Sequence, residues 1–235
     1  MPDSLYPVVV AFCSQKGGVG KSTLAGAMAA AASAEKGVKV RIIDADELQE
    51  TSRHWASRRA AAGSMNRIDV TVAHGVEDVR SLAGDADVLI VDAPGRASRD
   101  TLMIARQAHL IIQPTGGSSA DLMPGMVLYR ELEEAGIDRR RLVWALSRID
   151  SDAEERELRA TLEREGWTVL KGSLSSRSAY KRAMDAGLSV TETPFPTLNR
   201  KAATLVDSLN ETLRKTGLAN LAEAQQGLQR REEAA

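Results

Sequence analysis

The stretch from Phe12 to Thr23, FCSQKGGVGKST, follows the apolar run PVVVA and constrains the chain more than any other segment. Three glycines, Gly17, Gly18 and Gly20, give a backbone that turns tightly and brings its N–H groups close to an anion. A helix starting at the next residues adds the positive end of its dipole. Buried strand, glycine turn and helix N-terminus, in that order, build a phosphate-binding loop in which a lysine reaches the β- and γ-phosphates. Lys16, Gly17, Gly18, Val19 and Gly20 form the turn, Lys21 carries the charge, Ser22 offers a hydroxyl to a magnesium ion, and Thr23 places another beside the phosphates. The usual spacing, GxxxxGKS, asks for a glycine where this chain has Gln15. Such a loop needs one lysine, yet this one has two, Lys16 and Lys21.

The rest of the chain alternates short apolar runs with alanine- and leucine-rich segments at helical spacing, a pattern that predicts a parallel sheet with crossover helices. Strands are expected near Val8 to Cys13, Val38 to Asp44, Ile68 to Ala73, Val88 to Asp92, Leu110 to Pro114 and Leu142 to Ser147, with a weaker one near Thr168 to Leu170. Their unbroken β-branched character fits strands covered on both faces. Helices are expected over Lys21 to Glu35, Ser52 to Ala62, Ser98 to Gln107, Asp121 to Glu134, Ala153 to Glu165, Ser176 to Asp185 and Thr197 to Lys215. Pro124 is placed in the first turn of its helix, where its missing N–H costs little. The expectation is an α/β fold of the P-loop NTPase kind, a mostly parallel twisted sheet of about seven strands with helices on both faces. The domain built around the phosphate loop is expected to span 1–216, with 217–235 a C-terminal tail forming a loosely attached helix.

Composition removes several function classes. With 235 residues, 43% hydrophobic and 27% charged, the chain is an ordinary globular one. No apolar run approaches the roughly 20 residues that span a bilayer, and MPDSLYP lacks the parts of a signal peptide, so a cytoplasmic protein without a membrane partner is expected. A net charge of -1 means that nucleic acid would be attracted by a local patch. A single cysteine, Cys13, excludes an internal disulfide and a thiolate metal cage. His54, His74 and His109 show no metal spacing.

Two further segments carry carboxylates. IIDADELQETSRHW places Asp44 and Asp46 after a β-branched run, either as chemistry or as acids capping the next helix. DVLIVDAPG ends a buried strand at Asp92 beside a flexible Pro94-Gly95 turn.

KGGVGKST resembles the deviant Walker A motif of the ParA/MinD superfamily of P-loop ATPases, in which the first lysine is the signature residue. The resemblance continues through DAD, DVLIVDAPG, SRDTLMIARQAHLIIQPTGGSSADL and WALSRID to about Lys215. It implies a homodimer that sandwiches two ATP molecules, with Lys16 crossing to the partner's nucleotide while Lys21 serves its own. It also implies Mg2+ near Ser22, Asp44 and Asp92, and Asp46 positioning the attacking water. The first loop departs from the usual DxDPQ, because Glu47 replaces the proline and Gln49 sits one place late. Ser147 stands where many relatives have asparagine near the base.

Branches that need paired cysteines, a basic amphipathic membrane-binding tail or a tyrosine cluster do not match these residues. Similarity to the ParA branch implies nonspecific DNA binding by the ATP dimer, nucleoid association, and a ParB-like centromere-binding partner that stimulates slow hydrolysis, in plasmid or chromosome partition. The expected DNA surface is Lys171, Arg177, Lys181, Arg182, Arg200 and Lys201, faced only by Asp185 and Glu192. A second basic stretch runs from Arg53 to Arg67 around Trp55, and the acid-rich segment from Asp150 to Glu165 reads as a solvated helix. Alternatives are a cargo such as carboxysomes, a relaxase in conjugative DNA transfer, and a non-hydrolysing nucleotide-binding scaffold. Lys16→Ala abolishes hydrolysis and leaves nucleotide affinity largely intact, which phosphate release and titration with a fluorescent nucleotide will check.

Overall fold

The computed structural model describes residues 7–64, 68–73, 78–95 and 99–233, so Arg67, His74 and the expected helix start at Ser98 lie outside the described residues. Seven strands form one sheet: β1 (Val8–Phe12), β2 (Val40–Asp44), β3 (Asp69–Val72), β4 (Val88–Asp92), β5 (Leu110–Thr115), β6 (Leu142–Ile149) and β7 (Thr168–Ser175). Their order is β3-β2-β4-β1-β5-β6-β7 and every pairing is parallel. The helices are α1 (Lys21–Ala32), α2 (Thr51–Ala61), α3 (Arg99–Gln107), α4 (Ser119–Glu134), α5 (Asp152–Arg164), α6 (Ser178–Asp185) and α7 (Pro196–Glu233).

Alternation along each strand feeds two separate cores. Val10 and Phe12 of β1 and Ile90 of β4 face a layer with Leu24 and Met28 of α1, Trp55 of α2, and Leu205 and Leu209 of α7. Val9 and Ala11 with Leu89 and Val91 face the opposite layer, built from Ile104 of α3, Tyr129 and Leu132 of α4, and Leu158 of α5. β1 is thus central and covered on both faces, and at its carboxyl end the connections part, β1 leading to β2 on one side and β4 crossing over to β5 on the other. In open α/β sheets that reversal is where ligands bind.

Four details differ from the sequence expectation. β7 runs eight residues, to Ser175, although KGSLS breaks the apolar pattern, because it pairs with β6 and is covered by α7. α4 starts at Ser119, because the Ser118 side chain caps it by accepting from the Asp121 N–H at 3.2 Å, so Pro124 lies in the second turn instead of the first. α7 continues as one helix through 216 and 217 to Glu233. The basic stretch after Arg53 divides between two faces: Arg53 and Arg58 stay exposed, whereas Trp55 is buried with its indole N–H donating to the Leu188 carbonyl at 3.1 Å, and Arg59 makes a bidentate pair with Glu192 at 2.7 and 3.0 Å.

The buried face of α2 lies against the segment after α6. Gly187 has φ +76°, and a Cβ there would lie 2.3 Å from the Arg59 backbone nitrogen. Left-handed backbone and a clash with main chain act together, so Gly187→Ala destabilises the fold by about 3 kcal/mol or more. Denaturant unfolding of the two proteins measures the difference.

Candidate functional site

The chain leaves β1 at Phe12, turns through Cys13 to Gly20, and enters α1 at Lys21, at the carboxyl edge of the sheet. A cleft of about 340 Å3 opens there, lined by Gly17, Gly18, Gly20, Lys21, Ser22 and Thr23 on one side. Asp46, Leu48, Gln49 and Thr51 form the second wall, and Ala93, Pro94 and Gly95 the third. The buried Val19 side chain anchors the turn from behind. Gly20, at φ +106°, lies so close to Ser147 that a Cβ would come within 2.6 Å of its hydroxyl oxygen. The buried Ser147 hydroxyl, which has no hydrogen-bond partner, therefore packs under the turn.

The carboxylates sort by what already satisfies them. Asp44 and Asp92 are register partners at the ends of β2 and β4, and both are buried. Asp44 does the capping that the sequence left open: Oδ2 accepts from the Arg53 N–H at 3.0 Å and Oδ1 from the Asp46 N–H at 3.3 Å. Burial raises its pKa, and these backbone donors, with Ser52, oppose the rise. Asp92 Oδ2 accepts from the Ser52 hydroxyl at 2.8 Å, while Oδ1 is buried with no hydrogen-bond partner. Burial pushes its pKa up to about 6, against the Ser22 and Ser52 hydroxyls and Lys21, with Asp44 adding to the rise. Asp46 stands at the cleft wall, partly exposed.

The two lysines part company. Lys21 lines the cleft and is 8% exposed. Lys16 is turned to the start of α4, where its ammonium pairs with Asp121. Burial works against the Asp121 anion, but the Lys16 and Ser118 hydrogen bonds hold its carboxyl below the ordinary value. Arg148, in the register shift of β6 and at φ 59°, donates to the Gly18 carbonyl at 2.7 Å and ties the same turn from another direction. Sequence reasoning missed Ser52, Asp121 and Arg148. An acid in the first turn of a helix marks Asp121 only as a dipole partner, and Ser52 and Arg148 carry no motif signal.

The proposed DNA residues sit on β7, at Arg177 just before α6, on α6 and at the start of α7, and all six are exposed. Tyr180 joins α6 to α7 by donating to the Leu198 carbonyl at 2.9 Å. Their acidic neighbours differ from expectation: Glu192 is engaged by Arg59, and Lys201 pairs with Asp152 of α5 at 2.9 Å. Cys13 is buried and its thiol is pushed up to about 12 by that burial, which leaves it unreactive.

The residues fit a magnesium nucleotide. An orphaned buried carboxylate oxygen on Asp92 is costly unless a cation or its water completes it, and Ser22 is a hydroxyl of the type that ligates such an ion beside the phosphates. In the cation-free protein that charge carries a penalty whose sign follows from linkage. Between pH 3.8 and about 6 the native carboxyl holds a proton that the unfolded one has lost, so stability falls as pH rises through this window and the penalty is complete above it. Asp92→Asn therefore stabilises the nucleotide-free protein at pH 7.5 by up to about 3 kcal/mol. The gain shrinks from pH 6 toward pH 4, and thermal melts across that range in chelator measure it.

Comparison with known proteins places the chain in a nucleotide-binding family. Residues 10–190 match the family described as the CobQ/CobB/MinD/ParA nucleotide binding domain. The chain is 31% identical over 194 residues to the maintenance of carboxysome distribution protein A of Gloeobacter kilaueensis, covering 81% of this chain and 87% of that protein. It is 32% identical over 189 residues to the protein ParA of Rhizobium radiobacter, covering 77% and 83%. In fold it is similar to the septum site-determining protein MinD of Pyrococcus horikoshii complexed with Mg-ADP, at TM-score 0.66 and 18% identity, covering 88% of this chain and 98% of that one. The chain belongs to the CobQ/CobB/MinD/ParA family of nucleotide-binding domains, and within it to the ParA/MinD-type P-loop ATPases.

Proposed function

We propose that the protein is a ParA-type positioning ATPase that binds MgATP, pairs with a second copy across the two nucleotides, holds nonspecific DNA as that dimer, and is released when a partner stimulates hydrolysis. The observation that carries this reading is the division of labour between the lysines: Lys21 lines its own cleft, while Lys16 is drawn away from it to Asp121. A cation held outside its own cleft, by a partly exposed ion pair, reaches a partner's nucleotide by exchanging Asp121 for it, and a charge supplied across an interface couples hydrolysis to association.

In this reading Lys21 and the N–H groups of Gly17 to Gly20 hold the phosphates, and Thr23 adds a hydroxyl beside them. Ser22 and Asp92 would hold a Mg2+ ion, which when bound would supply positive charge to the phosphate oxygens. Asp44 braces the start of α2 behind the ion. Asp46, on the loop between β2 and α2, orients the attacking water. The exposed cations Lys171, Arg177, Lys181, Arg182, Arg200 and Lys201 hold DNA phosphates, and dimerisation doubles their number.

Partition of a plasmid or chromosome with a ParB-like partner is the cargo reading, supported by the relative named ParA. The similarity to a carboxysome distribution protein favours a second, in which the cargo is a protein body reached through its own adaptor and the ATPase cycle on DNA is the same.

Binding to a nonspecific duplex with ATP, with ADP and without nucleotide, at two salt concentrations, tests the proposal. The parent binds only with ATP, and its affinity falls steeply with salt. The Arg177/Lys181/Arg182 triple alanine variant loses binding by at least tenfold while keeping its ATP affinity, in line with about three lost phosphate contacts. Absence of DNA binding in every nucleotide state would leave a protein-scaffold role.

A further inference from the structure

Ser52 touches both strand-end carboxylates. Its hydroxyl donates to Asp92 Oδ2 at 2.8 Å, and its backbone N–H is directed with that of Arg53 at Asp44. Ser52 and Asp92 are each 1% exposed and Asp44 is 0% exposed, so the contact is shielded from solvent. Ser52 is the second residue of α2, whose start Asp44 fixes, so the backbone sets where the hydroxyl lies.

A serine hydroxyl has one proton to give. Given to Oδ2, it occupies one carboxylate oxygen; the Ser22 hydroxyl also lies near enough to favour the anion, but Oδ1 stays buried with no donor in hydrogen-bond geometry and is the oxygen left for a positive neighbour. Rotation of an aspartate carboxylate about χ2 is soft and nearly two-fold, so a donor on one oxygen is what distinguishes the two. The same bond closes the segment 45–50, which carries Asp46, against the end of β4.

We infer that Ser52 is a positioning residue for magnesium, holding Asp92 Oδ2 so that Oδ1 is presented to the ion's water shell and the Asp46 loop is pinned to the metal-bearing strand. The inference rests on reading Asp92 as the magnesium carboxylate. Partners that orient a metal-bearing group from behind typically change metal affinity by about 10–100-fold when removed.

The test is a magnesium titration of fluorescent ADP binding to the parent, Ser52→Ala and Ser52→Thr, with each protein's nucleotide affinity also measured in EDTA. Ser52→Ala raises the half-saturating magnesium concentration about tenfold and leaves the EDTA affinity within about twofold of the parent; Ser52→Thr, which keeps the hydroxyl, restores the parent curve. A Ser52→Ala curve that superimposes on the parent's overturns the role of Ser52 and leaves the metal reading standing. So does an equal loss of affinity with and without magnesium, which would mark a general effect on the cleft, or a Thr variant that binds normally in EDTA yet follows the Ala curve. A parent whose nucleotide binding ignores magnesium overturns the reading of Asp92, and Ser52's role with it.

Discussion

The carboxylate of Asp92, almost without exposure at the end of β4, is the constraint from which the rest of the cleft follows. Leaving such a group charged and dry is expensive unless donors and cations are arranged around it. Lys21, the Ser22 and Ser52 hydroxyls and the α2 N-terminus held by Asp44 form that arrangement. These groups come from two distant places, the starts of α1 and α2, so the site exists only once the parallel sheet has brought the carboxyl ends of β1, β2 and β4 to one level. The register does so residue for residue, with Phe12 and Asp44 both opposite Asp92.

Charge is distributed around this centre with little redundancy. Lys16 goes to Asp121, Arg148 to the Gly18 carbonyl, Arg59 to Glu192, and Lys201 to Asp152. The first two act on the glycine turn itself, fastening its outer side to α4 and to the end of β6. The Arg59 pair does different work, joining α2 to the segment before α7 and so bracing the wall that carries Ser52.

Much of this was legible in the sequence because the fold is repetitive and the loop is not. Unbroken runs such as VVVAF and VLIVD announce strands buried on both sides, and KGGVGKST announces what lies at the end of one of them. Elements that depend on a distant partner were harder to read. Thr168–Ser175 is a full strand because α7 covers it, and Arg59 is buried because Glu192 waits more than a hundred residues away. Asp44 shows a subtler limit, since a strand-end acid before a helix fits a cap and a metal neighbour equally well from its neighbours in sequence alone. Ser52 was invisible for the same reason: its importance lies in a hydrogen bond to a strand forty residues on.

The last helix closes over the first strand. Gly217 of α7 lies against Val8 at the start of β1, Arg214 pairs with Glu35 just beyond α1, and Leu205, Val206 and Leu209 share a core layer with Val10, Phe12 and Leu24. Such contacts join positions about two hundred residues apart and require the longest of loop closures. The core layer behind the glycine turn is begun by α1 and α2 but is complete only once α7 has packed beside them. A chain cut before Pro196 would therefore keep the whole phosphate-loop sequence and the α1 and α2 part of that layer, while leaving the face of β7 and the neighbouring part of β1 open to water.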